Sequence, residues 1–389
     1  MVDFRLSPND TEILEQVRRE GLAVRKHARY FDDHEEELPP EKFPEADALP
    51  GVSERVMRRP ADDTPAATFQ MLLGMARQWG DTLPLRQPPL ALGNAALQAA
   101  GTPEQKERWG ATALSMAITE PGCGSDSKAI KTTARLDGDH WVINGEKIFV
   151  TTGIRAKGVV VWATIDAQRG RAGIKSFVVM KGTPGFEVTR KEKKLGIRAS
   201  DTAALSFIDC RIPRDHLLGG DETVPRQGSG GFRGVMKTFN MTRPGVGAIG
   251  IGKARASLDF ANEALAKEGV EIDWERSRYA RSAIEAKLVQ MEADTEAATL
   301  TCLRAGWLAD MGEENNVEAS IAKAKGGEVS RTVPQGCIEA LGAMGASREH
   351  LLEKWLRDGR ITDIYEGTGQ IQRLIIARAI FAYTSEELG

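Results

Sequence analysis

Apolar positions change period twice along this chain. Between Thr11 and Arg29, Ile13, Leu14, Val17, Leu22 and Val24 recur at helical spacing, and an acidic, proline-bearing link follows from Asp32 to Pro40. Thr102, with Pro103 at the first helical position and Gln105 behind it, forms a capping-box start, so a further helix is expected there. After Ala113, short runs rich in valine, isoleucine and phenylalanine alternate with glycine or Asp-Gly turns, the mark of strands. Trp141 to Ile143 and Lys147 to Val150 flank Asn144-Gly145. Both of those residues tolerate positive φ, which predicts a hairpin turn at that point. Val159 to Ala163, Ser176 to Met180 and Ala204 to Ile208 extend the strand series at spacings suited to a small barrel or sandwich. Gly228-Ser229-Gly230-Gly231 reads as a linker. Helical spacing returns from Phe232, notably over Ala283 to Leu308, over Asn316 to Met344 with a kink expected at Pro334, and from Thr368 to about Tyr383. The order predicts an α+β protein of three domains: a helical domain over 1–114, a β domain over 115–228 and a helical domain over 229–389.

The length of 389 residues exceeds what one hydrophobic core usually holds, in keeping with several packed units. With 41% hydrophobic and 28% charged residues and a formal charge of -3, the composition is that of an ordinary globular protein, with no expectation of a nucleic-acid partner. The densest basic run, Arg190-Lys191-Glu192-Lys193-Lys194, is interrupted and reads as a solvated turn. The N-terminus lacks the pattern of a secretory signal, and no stretch approaches the roughly 20 apolar residues of a membrane span. No membrane association and a cytoplasmic location are therefore expected. Cys123, Cys210, Cys302 and Cys337 lie far apart, and the five histidines are equally dispersed, so neither a disulfide framework nor a metal site is expected.

Two strings carry candidate chemistry. In Ile118-Thr119-Glu120-Pro121-Gly122-Cys123-Gly124-Ser125-Asp126, proline and glycines force irregular backbone whose N–H groups and hydroxyls can face a flavin ring or a phosphate; an ordinary turn has the same composition. In Asp363-Ile364-Tyr365-Glu366-Gly367-Thr368-Gly369-Gln370-Ile371-Gln372-Arg373, a carboxylate stands on a short turn before a helix. Partial burial there would raise its pKa and make it a better base near neutral pH, while a surface glutamate near a helix N-terminus is the bland alternative.

Together, and in this order, the two strings resemble those of the acyl-CoA dehydrogenase family. The resemblance runs on from about Leu90, through Asn144-Gly145-Glu146-Lys147, Gly196-Ile197-Arg198-Ala199-Ser200-Asp201-Thr202 and Thr242-Arg243-Pro244. It implies an N-terminal helical domain, a central β-barrel and a C-terminal four-helix bundle, with FAD as cofactor. Ile118, Thr119, Gly124, Ser125, Phe149, Thr151, Thr368 and Gln370 would contact the flavin; Phe149 could equally be a barrel-core aromatic. Ser125, Phe239, Asn240, Arg243, Gly367 and Arg378 would contact the acyl-CoA. Arg243 would orient the base, or else make an ordinary surface ion pair, and Arg378 would face phosphates, or else solvent. The activity implied is α,β-dehydrogenation of an acyl-CoA thioester to the trans-2-enoyl-CoA. Glu366 would take the α-proton, flavin N5 would accept the hydride, and the Glu366 backbone N–H with a ribityl hydroxyl would hold the thioester oxygen. Electrons would pass to electron-transfer flavoprotein.

The chain departs from the family pattern in two places. An Arg-x-x-Phe-Gly string that reaches the FAD pyrophosphate across a subunit interface falls here on Glu271-Ile272-Asp273-Trp274-Glu275, and a second cross-subunit flavin segment reads Glu339-Ala340-Leu341-Gly342-Ala343-Met344-Gly345. Arg276 or Arg278 would have to replace the missing charge, or another subunit would complete the pocket. A homo-oligomer (dimer or tetramer) and a hetero-oligomer are both open on this reading. So are a flavin monooxygenase on the same fold, against which Glu366 speaks, and a non-catalytic subunit.

Overall fold

The computed structural model describes residues 6–41, 43–47, 64–81, 85, 90–224, 232–383 and 387, with the side chains of 46, 47, 128 and 232–241 outside that description. In chain order the elements begin with helices α1 (Pro8–Val24), α2 (Ala28–Asp33), α3 (Pro44–Asp47), α4 (Ala66–Trp79), α5 (Leu92–Ala100) and α6 (Pro103–Trp109). Strands β1 (Leu114–Ala117), β2 (Thr133–Asp137), β3 (His140–Thr151), β4 (Gly158–Thr164), β5 (Ile174–Met180), β6 (Phe186–Lys191) and β7 (Thr202–Pro213) follow. Helices α7 (Phe232–Lys267), α8 (Ala283–Asp310), α9 (Asn316–Leu341), α10 (Ala343–Ala346), α11 (Leu352–Arg360) and α12 (Gly369–Phe381) complete the chain. Two compact units account for it. One joins Met1–Arg86, Leu195–Ala199 and Asn240–Gly389; the other is Gln87–Lys194 with Ser200–Phe239.

In the β unit all seven strands belong to one mixed sheet in which β4 pairs with both β1 and β5, and β2, β3, β7 and β6 follow in that order. The described pairings leave it open, a half-barrel. Its centre is β4, buried along its whole length because alternate residues feed two cores. Val159, Val161 and Ala163 pack with Phe177, Leu205 and Phe207 on one face, while Val160 and Trp162 pack with Leu97 of α5 and Trp109 of α6 on the other. The Thr102 capping box forms as expected: Gln105 N–H donates to Thr102 Oγ1 at 3.3 Å and Thr102 N–H to Gln105 Oε1 at 3.0 Å.

The hairpin expected at Asn144-Gly145 is not there. Strand β3 runs straight through both residues, and the turn falls instead at Gly138, φ 63°, between β2 and β3. The two residues form a bulge, with the register against β7 shifting between Ile143 and Gly145. Asn144 Oδ1 accepts from Asp209 N–H at 2.8 Å and its Nδ2 donates to Asp209 Oδ1 at 3.2 Å, so the side chain ties the bulge to β7. Gly145 is required by close approach: a Cβ there would lie 2.4 Å from Thr132 Oγ1.

The helical unit is built on α7, α8 and α9, whose buried Ala248, Ile251, Leu258, Leu288, Cys302, Val329 and Val333 share one core with Met71 and Met75 of α4. Helices α7 and α9 touch backbone to backbone: a Cβ on Gly326 would meet Gly247 O at 2.4 Å, and one on Gly250 would meet Gly326 O at the same distance. Helix α9 continues past Pro334 and stops at Gly342, φ 56°. The string Gly196-Ile197-Arg198-Ala199 joins this unit. Gly196 admits the Arg357 carbonyl of α11, and Ile197 N–H donates to Asp358, itself part of a buried ionic cluster with Lys354, Lys253 and Asp81. The linker at 228–231 lies outside the described residues. Among the described residues no helix is long and apolar enough to cross a membrane.

Candidate active site

The turn that carries Glu366 is strained by design of its sequence. Glu366 has φ 54°, a left-handed conformation uncommon for a residue with a side chain, and Gly367 has φ 91°. Buried Gln372, one turn into α12, holds both: its Nε2 donates to Glu366 O at 3.2 Å and to Gly367 O at 3.1 Å. Thr368 caps the same helix, accepting from Ile371 N–H at 3.3 Å. A glycine is needed at 367 on two counts, positive φ and the 2.5 Å approach of Gln372 Nε2 to a Cβ placed there.

The Glu366 residue keeps some exposed area, but its carboxyl is enclosed. Burial raises it above the ordinary carboxylate range, and a hydrogen bond from Thr242 with the charges of Arg243 and Lys323 only partly offset that rise. Thr242 Oγ1 donates to Glu366 Oε2 at 2.7 Å. Arg243 is buried, its guanidinium pKa lowered by burial against the field of Glu366. An ordinary surface ion pair is therefore ruled out for Arg243. Gly367 and Thr368 lie in the same turn, whereas exposed Gln370 sits just inside α12. Half-buried Arg378 lies ten residues beyond Thr368, about 15 Å along the helix. Its buried Nε has no hydrogen-bond partner among the described residues. Phe239 and Asn240 belong to α7, and their side chains lie outside the described residues.

In the β unit, Ile148 N–H donates to Thr119 O at 2.9 Å, which places Ile118-Thr119 beside the β3 stretch that carries Phe149 and Thr151. Phe149 is 55% exposed and has φ 55°, so it is no barrel-core residue. A Cβ at Gly122 or Gly124 would meet nothing within 4 Å, and Ser125 is exposed, so the loop borders open space. Its underside is fastened by a buried ion pair: Lys147 Nζ reaches Glu120 Oε1 at 2.8 Å and donates to Ile118 O at 3.0 Å, while Glu120 accepts from Lys131 N–H and Thr132 N–H at 2.7 and 2.9 Å. Burial pulls the Lys147 ammonium down to about 8, and burial of Glu120 is outweighed by Lys147, so that carboxyl stays below its usual range. An exposed aromatic with Thr119 of the loop and Thr151 of β3, beside open glycines, fits the planar, polar-edged ring of a flavin.

The region of Glu271 is different. Arg276 Nη1 lies 3.0 Å from both carboxylate oxygens of Glu285, Arg278 stacks on Tyr279, and Arg281 faces the carbonyls of Asp273 and Trp274. Glu339 is paired with Lys287 and accepts from Gln335. The arginines that could replace a missing pyrophosphate partner are thus engaged by their own segment. Sequence reasoning gave no role to Thr242, Gln372 or Lys323, although the first stands in the Thr-Arg-Pro string and the second in the string that carries Glu366.

Comparison with known proteins settles the class. Residues 115–210 match the model of the acyl-CoA dehydrogenase middle domain and residues 229–381 that of the C-terminal domain. The chain belongs to the acyl-CoA dehydrogenase family, whose members are FAD-dependent oxidoreductases. It is 39% identical over 290 residues to the mitochondrial short-chain specific acyl-CoA dehydrogenase of Rattus norvegicus, covering 71% of this chain and 66% of that one. The match thus spans just under two thirds of that relative's length. Among solved structures, butyryl-CoA dehydrogenase from Megasphaera elsdenii superposes with a TM-score of 0.81 at 27% identity, over 98% of this chain and 100% of that chain. A chain from a structure of the electron transferring flavoprotein of Acidaminococcus fermentans gives a TM-score of 0.80 at 28% identity over 98% and 100%.

Proposed function

We propose that this chain dehydrogenates a short-chain acyl-CoA between its α and β carbons, with Glu366 as the base. The observation that carries the reading is an enclosed carboxylate, raised by burial, held in a strained turn and flanked by Thr242 and Arg243. A carboxyl shifted upward is a stronger base, once ionised, than a solvated one. Gln372 fixes the backbone of the turn, so the Glu366 N–H is offered in a set direction to the thioester oxygen, where a preorganised donor lowers the barrier to α-proton loss. FAD, when bound, supplies the hydride acceptor. Ile118, Thr119, Phe149, Thr151, Gly124 and Ser125 would hold its ring, with Thr368 and Gln370 as further contacts. Gly367 lets the acyl chain approach the backbone, and Phe239, Asn240, Ser125 and Arg378 are the remaining substrate contacts of this reading. The short-chain assignment and electron-transfer flavoprotein as electron acceptor are supported by the named relatives alone.

The test is flavin bleaching by butyryl-CoA under anaerobic conditions. The wild-type chain should bleach, and Glu366→Gln should bleach at least about a hundredfold more slowly with its flavin content unchanged. An undiminished rate in that variant removes Glu366 from the role of base.

A further inference from the structure

Lys323 of α9 has none of its surface exposed, and its Nζ has no hydrogen-bond partner among the described residues. A buried ammonium left without a partner is costly, so its retention asks for an electrostatic reason. The packing around it is tight. A Cβ on Gly247 of α7 would lie 2.6 Å from Ala322 O and 3.4 Å from Lys323 N, and a Cβ on Gly327 would lie 3.1 Å from Asp363 Cα. Helix α7, helix α9 and the turn at Asp363 are therefore locked together on both flanks of Lys323, which fixes where its side chain begins.

The same packing brings charge near Lys323: Gly247 of α7, which abuts Lys323, follows Thr242, the donor to Glu366, by just over one turn, and Gly327 of α9 abuts Asp363; the charges of Asp363, Glu366, Arg243 and Arg360 all act on the ammonium. Asp363 has an ion pair of its own, with Arg360 Nη1 3.3 Å from its Oδ2. Among the described residues Thr242 donates to Glu366, and the charges of Arg243 and Lys323 offset part of its burial. Burial draws the Lys323 ammonium down to about 8, which still leaves it charged at neutral pH.

We propose that Lys323 is a positioning residue for Glu366: its unpartnered ammonium, sealed in the crossing of α7 and α9, keeps the base carboxylate charged by attraction through space. The proposal rests on the reading of Glu366 as the base. Because the coupling is mutual, each group must favour the charged form of the other by the same factor.

The experiment reads both protonation equilibria directly, on the purified full-length chain without substrate. In lysine labelled with carbon-13 at Cε, the Lys323 signal, assigned through Lys323→Arg, is followed by NMR against pH in the wild-type chain and in the isosteric Glu366→Gln. Removal of the negative charge should lower the Lys323 midpoint by about one pH unit, a tenfold loss of proton affinity. In infrared spectra, the protonated Glu366 band, assigned through Glu366→Gln, should persist about one pH unit higher in Lys323→Met. An unmoved lysine midpoint in Glu366→Gln overturns the proposal even if Lys323→Met does not fold. A chain in which both shifts appear but butyryl-CoA fails to bleach the flavin would sink the dehydrogenase reading and leave this coupling standing.

Discussion

The Glu366 carboxyl is set by opposed influences that single side chains can separate. Burial raises its carboxyl, while Thr242, Arg243 and Lys323 pull it back. With a folded pKa above the ordinary range, the base form is lost as pH falls through that raised value, so flavin reduction should decline on the acid side earlier than for a solvated carboxylate. Thr242→Val removes a donor that favours the charged form, and the half-maximal rate should move about one unit toward higher pH, as a pH profile of single-turnover bleaching would measure. Gln372→Leu leaves two carbonyls of the turn without their amide donor. A loss of about 1–3 kcal/mol in unfolding free energy is expected, with slower bleaching because the Glu366 N–H is no longer held. Glu366 and Gly367 were legible in the sequence as a carboxylate beside a glycine. Lys323 was not, and neither was the part played by Gln372 in the same string, since a glutamine or lysine within a helix carries no mark of the face it will bury.

At the scale of elements, the loop of Ile118 to Asp126 depends on a pair contributed by β3. Lys147→Met would leave Glu120 buried without its countercharge, and the β unit should lose about 3–5 kcal/mol in chemical denaturation. If the loss stays below about 1 kcal/mol, the pair is not what fastens the loop. The crossing of α7 and α9 has no room for a side chain, so Gly326→Val should destabilise the helical unit by at least about 1–3 kcal/mol. The periods of the strands and long helices read correctly because each buries a continuous face. Asn144-Gly145 misled because its positive-φ tolerance serves a bulge as well as a turn, and only the pairing with Asp209 on β7 selects the bulge.

For the whole molecule, the open question is the phosphate end of the cofactor. Arg276 is held by Glu285, and Glu339 by Lys287, so this segment presents no unengaged arginine where the family pattern places one. We expect the chain purified alone to bind FAD below one equivalent, and occupancy to rise when a second acyl-CoA dehydrogenase-like chain is supplied. Full occupancy in a homo-oligomer, read from the visible spectrum and light scattering, would dispose of the hetero-oligomer.

The sequence by itself determined the succession of helices, strands and helices, the family, and the two strings in which the flavin loop and the base are proposed, because periodicity and local turn chemistry are written in neighbouring residues. Tertiary structure alone decided that Phe149 is exposed, that Arg243 is buried beside Glu366, that Gln372 holds the strained turn and that the arginines near Glu271 are engaged. Those outcomes depend on partners far away in the chain, whose distance and burial no local pattern encodes.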